Sequence, residues 1–328
     1  MPSPYSLSAT IERWPVRGSF VISRGAKTHV DVVMCKISDG NFTGLGEATP
    51  IYYKGETAEI AVQEIQIFAE QHALFDRQAV LHHMPSGAAR NALDCALWDL
   101  ECQQSGKALY ELADLPRPSA LATAFTISLA DPMQMESDAR AAAASHRLLK
   151  LKLSGKDDRE RVAAVHRGAP HARLIVDANE SWNHLDIAAE AAIMAKWGVE
   201  LVEQPVSAGQ DHLLANVQSP IPLCADESCH TSDDIPDLAR YYQAVNIKLD
   251  KAGGLTEAIR VAEAAEQAGL KIMVGCMLST SQAIRPAFAL AQRAQWVDLD
   301  GPLLLAKDRE NPMHFEDGMV MPAAQIGK

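Results

Sequence analysis

RLIVDANESWNHLDIAAEAAIMAKWGVELVEQP, residues 173–205, is the stretch whose reading decides the fold. An apolar run of strand length, RLIVDA, gives way to the helical spacing of LDIAAEAAIMAKWG and then to a second strand-like run, ELVEQP. Parallel neighbours need a crossover of a dozen or more residues, so strand, helix and strand of these lengths form one unit of a parallel sheet. The pattern repeats in both directions. TAFTISL (123–129), LLKLKLS (148–154), IPLCADE (221–227), AVNIKLD (244–250), KIMVGC (271–276) and QWVDLD (295–300) bring the strand candidates to eight. Helical runs such as DPMQMESDARAAAASH (131–146) and LTEAIRVAEAAEQAG (255–269) separate them. Eight strands with seven intervening helices predict an α/β fold, a modified TIM barrel of the (β/α)7β kind, over residues 121–300. A doubly wound open sheet is the alternative, but no GxGxxG or GxxxxGK[ST] follows a strand, which removes the usual nucleotide reading.

Upstream the texture differs. SFVISRG (19–25), HVDVVMCKIS (29–38) and GNFTGLGEATP (40–50) alternate apolar with polar residues and break at turn signals, as a short antiparallel meander does. Glu56–Ala73 and ARNALDCALWDLECQQSGK (89–107) turn helical, with Gly106 ending the second helix. Residues 1–120 are therefore expected to form an α+β capping domain. The tail 301–328 lacks periodicity and is expected to pack back and complete that cap.

The 328 residues carry 42 acidic against 30 basic side chains, a net charge of −12. That balance argues against nucleic acid as a partner, because phosphate binding needs surplus Lys and Arg. No uninterrupted apolar run approaches the ~18 residues a membrane span requires, and no basic segment leads into an apolar stretch at the start. Six cysteines without a CxxC pair read as reduced thiols. A cytoplasmic enzyme or binding protein is the expectation.

Most of the predicted strands end in charge. Lys150 and Lys152 close the second, Asp177 the third, Glu203 the fourth, Asp226 the fifth and Lys248 the sixth. From Lys152 onward the intervals are 25, 26, 23 and 22 residues, each one strand–helix unit, so all face the rim where barrel active sites are built. A single strand-end lysine is usually a solvated surface residue; two lysine strands opposing three carboxylate strands are not. Lys150 and Lys152, two apart, share a face, and the same logic groups Asn246, Lys248 and Asp250. Asp177, Glu203 and Asp226 offer oxygen alone, which suits a hard cation such as Mg²⁺, with Mn²⁺ able to stand in. Without a cation they would repel one another. A lysine whose pKa is lowered by a neighbouring cation can take a weakly acidic proton, such as one α to a carboxylate. With Lys152 and Lys248 on opposite sides of one carbon, one removes the proton and the other returns it, inverting the centre. Lys251 lies past the strand end, out of phase with Lys248, and reads as a loop residue. The histidines show no ligand spacing.

KLKLS (150–154), IVDANESW (175–182), VEQP (202–205), ADES (225–228) and NIKLDKAGGLTEA (246–258) together resemble the enolase superfamily, in its muconate-lactonizing subgroup. That superfamily is also a stock example of a lysine or histidine base working with Mg²⁺. Within it VISRG (21–25), ADESCHTS (225–232), GCMLSTS (275–281) and DLDGP (298–302) are most similar to the dipeptide epimerases acting on L-Ala-D/L-Glu. The resemblance implies an isomerase that inverts the Glu α-carbon by two-base proton transfer through a metal-stabilised enolate, in murein peptide recycling. It implies Lys152 and Lys248 as the bases, Lys150 as their support and Asp177, Glu203 and Asp226 as the Mg²⁺ ligands. Asp298 and Asp300 would hold the dipeptide's α-ammonium and Arg24 would clamp the side-chain carboxylate. Thr126 and Cys276 would line the pocket. The partner would be a small dipeptide, with a homo-oligomer left open. Ser279 stands where many members of the subgroup carry Glu, which loosens the link to muconate chemistry. Epimerisation of other Ala-Xaa dipeptides, muconate cycloisomerase or o-succinylbenzoate synthase chemistry, and a non-catalytic metal-binding scaffold are the alternatives.

Overall fold

The computed structural model describes residues 5–22, 25–72 and 76–322. Strands β1 (Ser6–Ile22), β2 (Gly25–Ser38) and β3 (Thr43–Ala48) form the antiparallel cap sheet, in that order. On β2, Val33, Cys35 and Ile37 point to one side and pack against the helices Ala58–Gln71 and Ala88–Ser105. Val30 and Val32 point to the other, where they meet Leu278 and Leu305. Sheet and helix approach closely at β3. A Cβ on Gly46 would lie 2.0 Å from Ala92 O, and one on Gly44 2.1 Å from Ala96 O, so only glycine fits.

Strand β4 (Leu121–Ala122) leads into eight parallel strands: β5 (Phe125–Ile127), β6 (Leu148–Lys152), β7 (Arg173–Asp177), β8 (Val199–Glu203), β9 (Leu223–Ala225), β10 (Ala244–Ile247), β11 (Lys271–Gly275) and β12 (Trp296–Asp298). Each pairs with its sequence neighbour, and a hydrogen bond from Ala124 N to Val297 O, 2.8 Å, joins the two ends. The barrel predicted from the strand–helix repeat is present. Period-two alternation sorts its side chains: Leu149, Leu151, Leu174 and Val176 pack outward with the helices, while Leu148, Ile175, Leu201, Cys224, Ala244, Met273 and Trp296 fill the interior. One crossover departs from expectation. Between β8 and β9 there is a 3₁₀ turn, Asp211–Leu214, and no α-helix. No described helix is long and apolar enough to cross a membrane.

The cap rests on the barrel rim through buried polar contacts. Arg90 Nε donates to Gly253 O at 2.9 Å, and Asp94 accepts from Thr256 N at 3.0 Å and Thr256 Oγ1 at 2.5 Å. Glu47 accepts from Thr280 N at 2.7 Å and from Arg309 Nη2 at 2.6 Å. The tail carries a hairpin, β13 (His314–Glu316) and β14 (Met319–Met321), that periodicity did not reveal. It pairs with β4, while Leu305 bridges to Val16 and Arg309 reaches Glu12 in the cap.

Candidate active site

Alternation along the barrel strands delivers the charged residues to one end of the interior. Lys152, Asp177 and Glu203 lie side by side in register on β6, β7 and β8. Asp226 follows β9 and Lys248 follows β10. All five are buried, as is Lys150. Lys152 Nζ lies 2.6 Å from Asp177 Oδ2, and Lys248 Nζ lies 2.6 Å from Asp226 Oδ2. Going round the ring from β6 to β10, three strands intervene either way: β7, β8 and β9, or β11, β12 and β5. The two lysines therefore rise from opposite walls, and both line one cavity with Asp177 and Asp226 between them.

Oxygens of Asp177, Glu203 and Asp226 lie within 4.8 Å of one another. Three converging buried carboxylates with no His or Cys among them fit a hard divalent cation such as Mg²⁺. The protein's own charges respond to this crowding. Burial, reinforced by the Asp177 charge, pushes Glu203 up to about 8. Burial opposes ionisation of Asp226 as well, but Lys248 and Lys251 outweigh it and hold that carboxyl well below the usual range. Burial likewise disfavours the Lys150 ammonium, yet Asp298, Glu203 and Asp177 raise its pKa. Lys150 Nζ bridges Glu203 Oε2 at 2.7 Å and Asp298 Oδ2 at 2.8 Å, linking the carboxylate triad to the last strand.

Asp298 and Asp300 line a second recess with Thr126, Cys276 and Lys150. Thr126 N donates to Asp300 Oδ2 at 2.7 Å. Burial and the Asp298 charge push Asp300 up to about 7. Asp298 Oδ1 has no hydrogen-bond partner among the described residues. The cap supplies the roof: Phe20, Ile22, Lys27, Thr49, Tyr52 and Tyr53. Arg24 lies outside the described residues.

Two readings of the strand-end pattern need correction. Lys251 is not a loop residue: it is 1% exposed, and its Nζ lies 2.6 Å from Asp226 Oδ1. The cause is that β10 stops at Ile247 and a helical turn, Leu249–Ala252, begins at once, so helical and not strand spacing sets the directions. For the same reason Asp250 leaves the face of Lys248 and accepts instead from Thr49 N at 2.8 Å and Asn91 Nδ2 at 2.9 Å in the cap. Asn246 stays inward and donates to Glu203 Oε1 at 2.7 Å. Asn179, which lines the cavity from a left-handed backbone, φ 46°, was not singled out by pattern; the Asp-Ala-Asn turn after β7 is its only trace in the sequence.

Comparison with known proteins matches residues 6–113 to the mandelate racemase/muconate lactonizing enzyme N-terminal domain and residues 134–327 to the enolase C-terminal domain-like family. The L-Ala-D/L-Glu epimerase of Escherichia coli (strain K12) is 41% identical over 309 residues, covering 94% of this chain and 96% of the relative. An N-acetyl-D-glutamate racemase of a Pseudoalteromonas species is 41% identical over 294 residues, 89% of this chain and 93% of its own. An enolase family member from Agrobacterium tumefaciens with homology to dipeptide epimerases, solved with bound sodium and L-Ala-L-Glu, superposes with a TM-score of 0.94 at 48% identity over 98% of both chains. With both halves matched and relatives aligned along nearly the whole length, this chain belongs to the enolase superfamily, in its mandelate racemase/muconate lactonizing enzyme branch.

Proposed function

We propose that this chain is an isomerase, a dipeptide epimerase that inverts the Glu α-carbon of L-Ala-D-Glu and L-Ala-L-Glu. The observation that carries the reading is the placement of Lys152 and Lys248 on opposite barrel walls with a carboxylate triad between them. One amine takes the α-proton from its face and the other delivers a proton to the opposite face. Asp177, Glu203 and Asp226 would hold Mg²⁺, which when bound supplies Lewis-acid stabilisation of the substrate carboxylate as its α-carbon loses the proton. Lys150, fixed between Glu203 and Asp298, steadies the inner side of the site and keeps a positive charge beside the reacting carboxylate.

The recess at Asp298 and Asp300 favours a substrate with a free α-ammonium. Two adjacent buried carboxylates, one raised to about 7, gain from a cation between them. Thr126 and Cys276 shape that end. At the other end the Lys27 ammonium lies 4.4 Å from the Tyr52 ring centroid, and burial lowers its pKa. An anionic side chain in the roof would relieve that desolvation, which supports Glu as the second residue; Arg24 would add a fork to the same carboxylate. Residues 1–120 with the tail 301–328 would act as the cap that selects substrate, and 121–300 as the catalytic barrel. A cytoplasmic role in recycling murein peptides fits such a substrate.

The test is incubation of each epimer with Mg²⁺ in D₂O. Both should gain deuterium at the Glu α-carbon and converge on one mixture. Replacing Lys152 or Lys248 should stop exchange from one epimer first. A metal-loaded protein that interconverts neither peptide rejects the reading. Racemisation of N-acetyl-glutamate is the second reading, favoured by the Pseudoalteromonas relative. It has no ammonium for Asp298 and Asp300, so a higher kcat/KM on N-acetyl-glutamate than on L-Ala-Glu would decide for it.

A further inference from the structure

Gln204 immediately follows Glu203 and is fully buried, 0% exposed. Its backbone sits at φ 35°, in the left-handed region that a residue with a side chain rarely adopts. Ordinary alternation would turn residue 204 away from the barrel interior, opposite to Glu203. The left-handed turn instead leads its carboxamide across to the end of β9. There Gln204 Oε1 accepts from Asp226 N at 2.7 Å and from Ser228 N at 3.2 Å. Its Nε2, with two hydrogens to share, lies within hydrogen-bond distance of Val206 O at 2.8 Å, Ser228 Oγ at 2.9 Å and Tyr242 OH at 3.2 Å. Two N–H donors on one side and three oxygens on the other leave a single orientation for the amide.

The main chain of Glu203 and Gln204 reaches the strands on either side. Gln204 N donates to Cys224 O at 2.8 Å, Glu180 N donates to Gln204 O at 2.9 Å, and Ala178 N donates to Glu203 O at 3.0 Å. Asp226 lies one residue beyond β9, so its N–H meets a side chain where a strand would have met the ladder. The far side is anchored too: Tyr242 OH and Ser228 Oγ both donate to Asp211 Oδ1, at 2.6 and 2.7 Å.

We propose that Gln204 is the positioning residue that holds the ends of β7, β8 and β9 in the register at which Asp177, Glu203 and Asp226 can share one cation, with Tyr242 and Asp211 bracing it from behind. The inference rests on the metal-binding reading above. Partners behind first-sphere ligands commonly change metal affinity about 10–100-fold when removed, because they fix where the ligands point.

The experiment is titration with Mn²⁺, followed by the electron paramagnetic resonance signal of the free ion, on wild type, Gln204→Met and Tyr242→Phe. Metal-free melting curves are recorded alongside. Gln204→Met should bind Mn²⁺ at least about tenfold more weakly while its metal-free transition stays cooperative, and added metal should restore kcat with the substrate KM unchanged. Mn²⁺ affinity within twofold of wild type in folded Gln204→Met overturns the inference. If that variant melts without cooperativity, Tyr242→Phe decides: a loss of about threefold or more supports the bracing, and an unchanged affinity overturns it. Wild type that fails to bind Mn²⁺ overturns both this inference and the metal reading beneath it, whereas wild-type binding with unaltered variants overturns this inference alone.

Discussion

Asp298 illustrates how much a single side chain decides. Its Oδ2 is taken by Lys150 at 2.8 Å, and its buried Oδ1 has no hydrogen-bond partner among the described residues. Asp298→Asn keeps the shape and removes half of the negative pair. The expected outcome is a loss of roughly 100-fold in kcat/KM for L-Ala-D-Glu, about 2.7 kcal/mol, measured by polarimetry. Turnover of an analogue without the α-amine should fall less, by only as much as the loosened Lys150 costs any substrate. Asp94 tests a second residue, away from the chemistry. Burial pushes it up from the ordinary 3.8 to about 6. A carboxyl that binds its proton more tightly when folded stabilises the fold at low pH. That contribution falls as pH rises from about 4 through about 6, with a full slope on the order of 1.4 kcal/mol per pH unit. Urea unfolding at pH 4.5 and 7 should therefore show Asp94→Asn losing less stability than wild type over that interval. Lysines 150 and 152 were legible because strand period two puts them on one face. Lys251 was not, because nothing in LDKA announces that a helical turn starts one residue after Lys248.

At the scale of elements, the strand–helix repeat was readable because the barrel strands are short apolar runs and most are followed by a helix with its own period. Besides the tail hairpin, two further pieces escaped that logic. The helix Arg77–His83 is too short to show a period, and the β8–β9 connection replaces its helix with a 3₁₀ turn. Sheet and helix come very close where β3 meets the Ala88–Ser105 helix. Gly46→Ala would drive a methyl to within 2.0 Å of a main-chain oxygen of that helix, and a helix backbone cannot swing aside as a side chain can. A loss of about 1–3 kcal/mol or more is expected, read as a lowered Tm, with kcat in the surviving folded protein nearly unchanged. An unaltered Tm would mean that sheet and helix separate more readily than the packing implies.

Across the whole molecule, three segments far apart in sequence converge on Glu47. Arg309 from the tail pairs with Glu47 of the cap at 2.6 Å, Thr280 of the barrel donates to the same carboxylate, and Arg309 also reaches Glu12 at 2.9 Å. Arg309→Met strands a buried carboxylate, which typically costs about 3–5 kcal/mol. Differential scanning calorimetry should show a lower Tm, and Glu47→Gln in the same chain should recover part of it. No sequence pattern pointed to this junction, since its partners lie 233 and 262 positions apart.

The walls and roof of the cavity come from different parts of the chain. Opposed lysines and the carboxylates stand on, or one residue beyond, barrel strands locked into a ring, whereas Phe20, Ile22, Lys27 and Tyr52 hang over them from the cap. Descent with modification can therefore revise the roof while sparing the walls: exchanging Phe20, Ile22, Lys27 or Tyr52 would change what the cavity admits and leave the opposed lysines where they stand.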